Sequence, residues 1–147
     1  MTASNFSTSI VVNNSPEEVF TAINNVSAWW QGEITGPTTQ LNDEFDYRMK
    51  GHHYSRQKVV ELIPNEKIVW EVIDSDLNGF KNTAEWTGTK ILFEISRKNN
   101  QTVVHFTHLG LTNQSECYGG CSWAWGELIQ ESLLSYIRTG KGTKVFG

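Results

Sequence analysis

Cysteine is scarce in this 147-residue chain, which has only Cys117 and Cys121. Two thiols do not make a secreted disulfide framework. Positive charge is also thin: 12 Lys and Arg stand against 16 Asp and Glu, for a net charge of −4 with no basic block. Nucleic acid and anionic membrane surfaces are therefore poor partners. No apolar run approaches the ~20 residues needed to span a bilayer. The opening MTASNFSTSI has neither a basic leader nor a long apolar core, so no signal peptide is expected and a cytoplasmic location is. Internal repeats, low-complexity tracts and linkers are missing, which predicts one domain over 1–147. Missing too are a Gly-rich phosphate loop, a nucleophile elbow and a paired-carboxylate motif. No catalytic residue, cofactor or metal is assigned, and a binding role is favoured over an enzymatic one.

Large rings are abundant instead. Six tryptophans stand at positions 29, 30, 70, 86, 123 and 125. Rings of this size fill cores, and they also line apolar pockets and interfaces. The stretch Ser115–Thr139 predicts one long amphipathic helix, roughly 35 Å if wholly helical. Its apolar stripe collects Tyr118, Cys121, Trp125, Ile129 and Tyr136, flanked by Leu128 and Leu133, with Gly140 as the stop. Trp123 and Leu134 project away from that stripe, toward the flanking loops or a second subunit.

Almost everything earlier reads as strand. Asn5–Asn13 alternates, with Phe6, Thr8, Ile10 and Val12 on one side. Ser15-Pro16-Glu17-Glu18 opens a short helix with a capping box, and Val19, Phe20 and Ile23 form its buried stripe. Val26–Trp30 is a second short turn. Strands are predicted at Glu44–Lys50, Arg56–Ile63, Lys67–Ile73, Lys90–Ser96 and Thr102–Leu109, with Gly32–Gln40 as loop or irregular strand. Short turns between consecutive strands imply an antiparallel sheet. A twisted sheet with one apolar face can curl around a single helix.

The chain resembles the domain family named for the C-terminal part of the heat-shock-protein-90 ATPase activator, within the START-like (SRPBCC) superfamily. The resemblance is carried by Ser15-Pro16-Glu17-Glu18-Val19-Phe20, the Trp29-Trp30 pair, Val60-Glu61-Leu62-Ile63-Pro64, Ile68-Val69-Trp70, Trp125 through Leu133, Tyr136-Ile137 and Thr139-Gly140. It implies an α+β helix-grip fold, a curved antiparallel sheet wrapped around the long last helix. It also implies a cavity between them that, in many relatives, holds an apolar small molecule. A reaction is not implied, because superfamily members include cyclases, hydrolases and pure binders.

In that fold, Trp30, Tyr47, Trp70, Trp86, His105, Tyr118, Trp125 and Ile129 are the expected lining of a site for a small apolar or aromatic ligand, lipids included. The same rings could simply fill the space, since proteins pack densely. A chaperone is the alternative partner, taken from the family name, and a monomer or homodimer the expected state. A third reading is a small hydrolase or cyclase using a pocket His or Tyr, with His105 as its base. His105 and His108, three apart on a strand, point to opposite faces. His52 and His53 sit in a turn, where one can face inward. Cys117 and Cys121 fall on one side of the helix, as packed thiols or as a metal or redox pair. Asp74-Ser75-Asp76-Leu77-Asn78-Gly79 with Glu85 matches a calcium-loop pattern. A strand precedes it, however, and Lys81 is a cation beside the site, so Asp74–Gly88 is read as a polar loop over the cavity mouth. Phe80 and Trp86 would tuck back from it as a lid.

Overall fold

A computed structural model describes residues 4–146. Residues 1–3, part of the stretch read for a signal peptide, lie outside it. β1 (Asn5–Val12) alternates as expected and buries Ile10 and Val12. In α1 (Pro16–Asn24), the Ser15 Oγ accepts the Glu18 N–H at 3.1 Å, and the Glu18 carboxylate accepts the Ser15 N–H at 3.0 Å. Both ends of that capping box satisfy amides that the helix start leaves unpaired. A 3₁₀ turn at Val26–Ala28 follows and delivers Trp29 and Trp30 into the core.

The remaining strands are β2 (Glu33–Thr35), β3 (Glu44–Met49), β4 (His53–Ile63), β5 (Lys67–Leu77), β6 (Lys90–Lys98) and β7 (Gln101–Thr112). They form one antiparallel sheet in the order β1-β7-β6-β5-β4-β3-β2. The segment from β1 to β2 therefore crosses from one edge to the other and carries α1 over the inner face. Asn99 and Asn100, at φ 53° and 67°, turn the β6–β7 hairpin, a conformation whose twist matches the flanking strands.

Several strands run past their expected ends, and two of these differences bear on the site. β4 begins at His53, so His53 is a strand residue rather than a turn residue. β5 runs on to Leu77, past a bulge opposite Arg56 and Gln57 that leaves Ile73 and Asp74 both exposed and returns Ser75 to the interior. Asp74, Ser75 and Asp76 are thus strand, and the calcium-loop geometry does not form.

The long helix starts at Tyr118 rather than Ser115. It consists of α2 (Tyr118–Glu127), a π-helical stretch (Leu128–Leu133) and α3 (Leu134–Thr139), and ends on Gly140 at φ 82°. The wider π turn rotates the buried side. Leu128 and Leu133, expected at the flanks, are buried with Trp125, Ile129, Ser132 and Ile137, while Tyr118, Cys121 and Tyr136 are only half-buried. The helix lies across β7 and β1, and α3 meets α1. Together they grip a core built on Trp29, Trp70, Phe93 and Phe106. Trp123 is 55% exposed, as expected, whereas Leu134 is half-buried. Among the described residues no helix is long and apolar enough to cross a membrane.

Candidate functional site

At the α2 end of this interface the packing opens into a half-open cavity of about 600 Å³. Its wall is aromatic. Trp30 and Tyr47 stack at 4.1 Å between ring centroids, Trp86 and Trp125 stack at 5.9 Å, and Trp30 meets Trp125 at 5.0 Å. Met49, Ala124, Leu128 and the Gly120-Cys121 turn complete the apolar surface, with Lys50 and His52 exposed at the rim. Gly32 lets the Trp30 segment lie against β3: its φ is 139°, and a Cβ there would run into the Tyr47 ring.

Phe146 also reaches this wall. The Gln31 side chain holds it there, accepting the Val145 and Phe146 N–H groups at 2.6 and 2.9 Å and donating to the Phe146 carbonyl at 3.1 Å. No periodicity in the sequence signals that clasp.

Of the eight residues expected at the site, Trp30, Tyr47, Trp86 and Trp125 line the cavity. Trp70 and Ile129 are fully buried deeper in the core, and half-buried Tyr118 lies outside the lining. His105 is on the wrong side of the sheet. It is exposed on the outer face of β7 and hydrogen-bonds Ser9 Oγ at 2.7 Å. Parity was the missed signal: Val104, Phe106 and His108 alternate inward, and His105 falls between them.

The two inward histidines are held neutral. Burial lowers His53 to about 4. Burial, and then the nearby His53, lower His108 to about 3. Both ring nitrogens of His108 are committed. Its Nδ1 accepts the Trp125 indole N–H at 3.1 Å, which leaves Nε2–H to donate to Thr89 Oγ at 2.8 Å. Thr89 in turn donates to the Trp86 carbonyl at 2.6 Å. That chain fixes the two stacked indoles and leaves His108 no free nitrogen for proton transfer. His53 lines the cavity, with its ring edge-on to Trp86 at 4.4 Å and Nε2 on Ser55 Oγ at 3.2 Å. The Tyr47 hydroxyl donates to the Gln31 carbonyl at 2.7 Å, and burial pushes its phenol well above the usual range.

Cys117 is buried, and half-buried Cys121 faces the cavity. The hydrogen bond they share, with burial, pushes the Cys117 thiol up, and the same bond holds Cys121 below its ordinary value. Among the described residues no group of three His, Cys, Asp or Glu could hold a metal ion. The loop after β5 has a structural task. Glu85 accepts the Glu116 and Cys117 N–H groups at 2.7 and 3.1 Å, and Glu116 accepts those of Lys81 and Asn82. This exchange pins the loop to the helix start and seats Trp86, buried, in the wall. Phe80 is half-buried.

Residues 13–138 match the sequence model of the family described as Activator of Hsp90 ATPase homolog 1-like protein. The chain belongs to this family. Solved structures agree with the helix-grip architecture. Aha1 of Colwellia psychrerythraea, a dimer in solution, matches with a TM-score of 0.74 and 26% identity, covering 95% of this chain and 99% of that one. A Staphylococcus saprophyticus protein matches with a TM-score of 0.71 and 15% identity, over 97% and 98% of the two chains. CalU16 of Micromonospora echinospora gives 0.62 and 12%, over 90% and 74%. The last two share the fold alone. A search of curated proteins found no match.

Proposed function

We propose that this chain binds a small apolar, aromatic ligand in the cavity between β3, β4 and α2. The observation that carries the reading is the wall itself: about 600 Å³ bounded by Trp30, Tyr47, Trp86 and Trp125, half-open to solvent. A half-open, mostly apolar space walled by aromatic rings is a usual seat for a small-molecule ligand. Binding would draw on roughly 25 cal/mol per Å² of apolar surface removed from water, less the costs of ordering. Stacking on the indoles would orient a flat ring. Catalysis with His105 as base is no part of this reading, because His105 lies on the outer face of β7. Titration with 2-methylnaphthalene is expected to shift the indole N–H resonances of Trp30, Trp86 and Trp125 saturably, while that of Trp29, outside the wall, stays put. No saturable shift with this or other apolar aromatics would end the reading.

A second reading is a module that docks on a chaperone ATPase, a function of the surface rather than of the cavity. It draws on the family description and on exposed Trp123, which packs beside Phe146 at 6.1 Å on the cavity rim. An ATPase assay of the host chaperone, with and without this protein, tests it; neither contact nor stimulation would retire it. Self-association through the same patch belongs with this reading, given the dimer formed by the Colwellia protein. Light scattering that returns the mass of one chain would remove it.

A further inference from the structure

Three buried polar atoms in one part of the sheet have no hydrogen-bond partner: Gln57 Nε2, Gln57 Oε1 and Trp70 Nε1. Both residues are 0% exposed. Unpaired donors and acceptors in a core are strongly destabilising and rare in native proteins. Ser55 and Ser75 on this face are paired, with His53 and Thr87, while Trp86 Nε1 in the cavity wall is unpaired as well.

The strand register places the orphaned atoms close to the cavity. Along the inner face of β4 run His53, Ser55, Gln57 and Val59. His53 lines the cavity, so the row leads inward from it. Tyr47 on β3 stands opposite Ser55, and Trp70 on β5 stands opposite Val59, diagonal to Gln57. The Trp30 ring stacks on both, at 4.1 Å from Tyr47 and 6.0 Å from Trp70. A ring that touches the strands on both sides of β4 spans β4 itself, over the stretch that holds Gln57. Trp30 lines the cavity, whereas Gln57 and Trp70 are absent from its lining.

We propose that Gln57 and Trp70 form a head-group subsite behind Trp30, reached when that ring swings aside. The proposal rests on the cavity being a ligand site. The subsite offers donors from the Gln57 amide and the Trp70 indole, and an acceptor in the Gln57 carbonyl. The matching head group sets an acceptor beside a donor: a C=O next to an N–H or O–H, as in a carboxamide, a lactam or an un-ionised acid. An ester or a hydrocarbon leaves the Gln57 carbonyl unpaired. A carboxylate would be buried without a counter-charge, since Lys50 stands out at the cavity rim.

The test compares 2-naphthamide, methyl 2-naphthoate and 2-methylnaphthalene on the wild-type chain and on Gln57→Leu, by indole N–H titration. The wild type is expected to bind the amide about tenfold more tightly than the hydrocarbon, with the ester between them. In Gln57→Leu the amide preference is expected to fall to about twofold or less, hydrocarbon binding to be unchanged, and the melting temperature to hold or rise. An amide preference that survives the substitution, or none in the wild type, overturns the proposal and leaves Gln57 a core residue only, while the cavity reading stands on the hydrocarbon. Failure of all three probes removes the cavity reading and this subsite with it. Should Gln57→Leu not fold, Gln57→Met and Trp70→Phe carry the same comparison, each expected to weaken the amide more than the hydrocarbon.

Discussion

The two halves of the last helix meet the same sheet in different ways. From Ile129 to Ile137 the contact is closed: Ile129, Ser132, Leu133 and Ile137 are buried. From Tyr118 to Leu128 it is open: Trp125 and Leu128 are buried, three glycines interrupt the surface, and the cavity lies alongside. The closed half is held by packing. The open half is held by Glu85 at its start and by the Trp125–His108–Thr89 hydrogen bonds along its inner side. Stability and the candidate site thus draw on separate stretches of one helix, and the contrast can be broken at several points.

The largest effect is expected in the closed half. Ile129→Ala removes a fully buried side chain and should lower unfolding free energy by about 2–5 kcal/mol in urea melts. Ligand shifts should be retained wherever the protein stays folded. A smaller loss, with binding abolished, would reverse the assignment of the two halves.

Acid should act on the open half. His53 and His108 are held at about 4 and about 3, against roughly 6.5 in an unfolded chain. Between those values the unfolded state binds more protons, so stability rises with pH. It should fall as pH drops from about 6.5 toward 4, by up to about 1.4 kcal/mol per unit for each histidine, and show no contribution from them above that range. Urea melts across this range measure the slope, and His53→Gln should reduce it. An unchanged slope would place the acid sensitivity elsewhere.

Glu85→Ala releases the two amides at the helix start and should cost about 1 kcal/mol, as other helix caps do. Thermal melts read the loss; no change would show that water replaces the carboxylate. The smallest effect has the opposite sign. Gly120 is helical, and a Cβ there would meet nothing within 4 Å. Gly120→Ala should therefore stabilise by about 0.5–1 kcal/mol, while its new methyl at the wall alters ligand affinity. A stabilised variant with wild-type affinity would show that the glycine is not kept for the site.

Much of the architecture was legible in residue order. The capping box at Ser15, the alternation of β1, the strand at β3 and the stop at Gly140 all rest on local chemistry, and all appear where expected. The π-helical stretch was not legible, because a 100° wheel assumes the regularity that Leu128–Leu133 breaks. At the site, Trp30, Tyr47, Trp86 and Trp125 could be named because large rings must be placed somewhere apolar. Choosing His105 over His108 was a one-residue error of phase on β7. The loop expected from Asp74 begins later, because side-chain spacing does not report backbone shape: Asp74 and Asp76 extend a strand. Gln31 acts through contacts with a segment distant in the chain, and its neighbours in sequence say nothing of it.

The π-helical stretch also limits how the chain can change length. It takes up one surplus residue between two segments that must each face the sheet. Deleting exposed Gln130 would remove that surplus and allow a regular ladder with both segments still facing the sheet, whereas deleting a residue from α2 or α3, with no bulge to absorb the change, would turn one segment about 100° against the other. Either Trp125 or Ile137 would then swing toward water, and near-ultraviolet circular dichroism of the indole cluster would register the shift. The last helix can give up one residue at the bulge and none outside it.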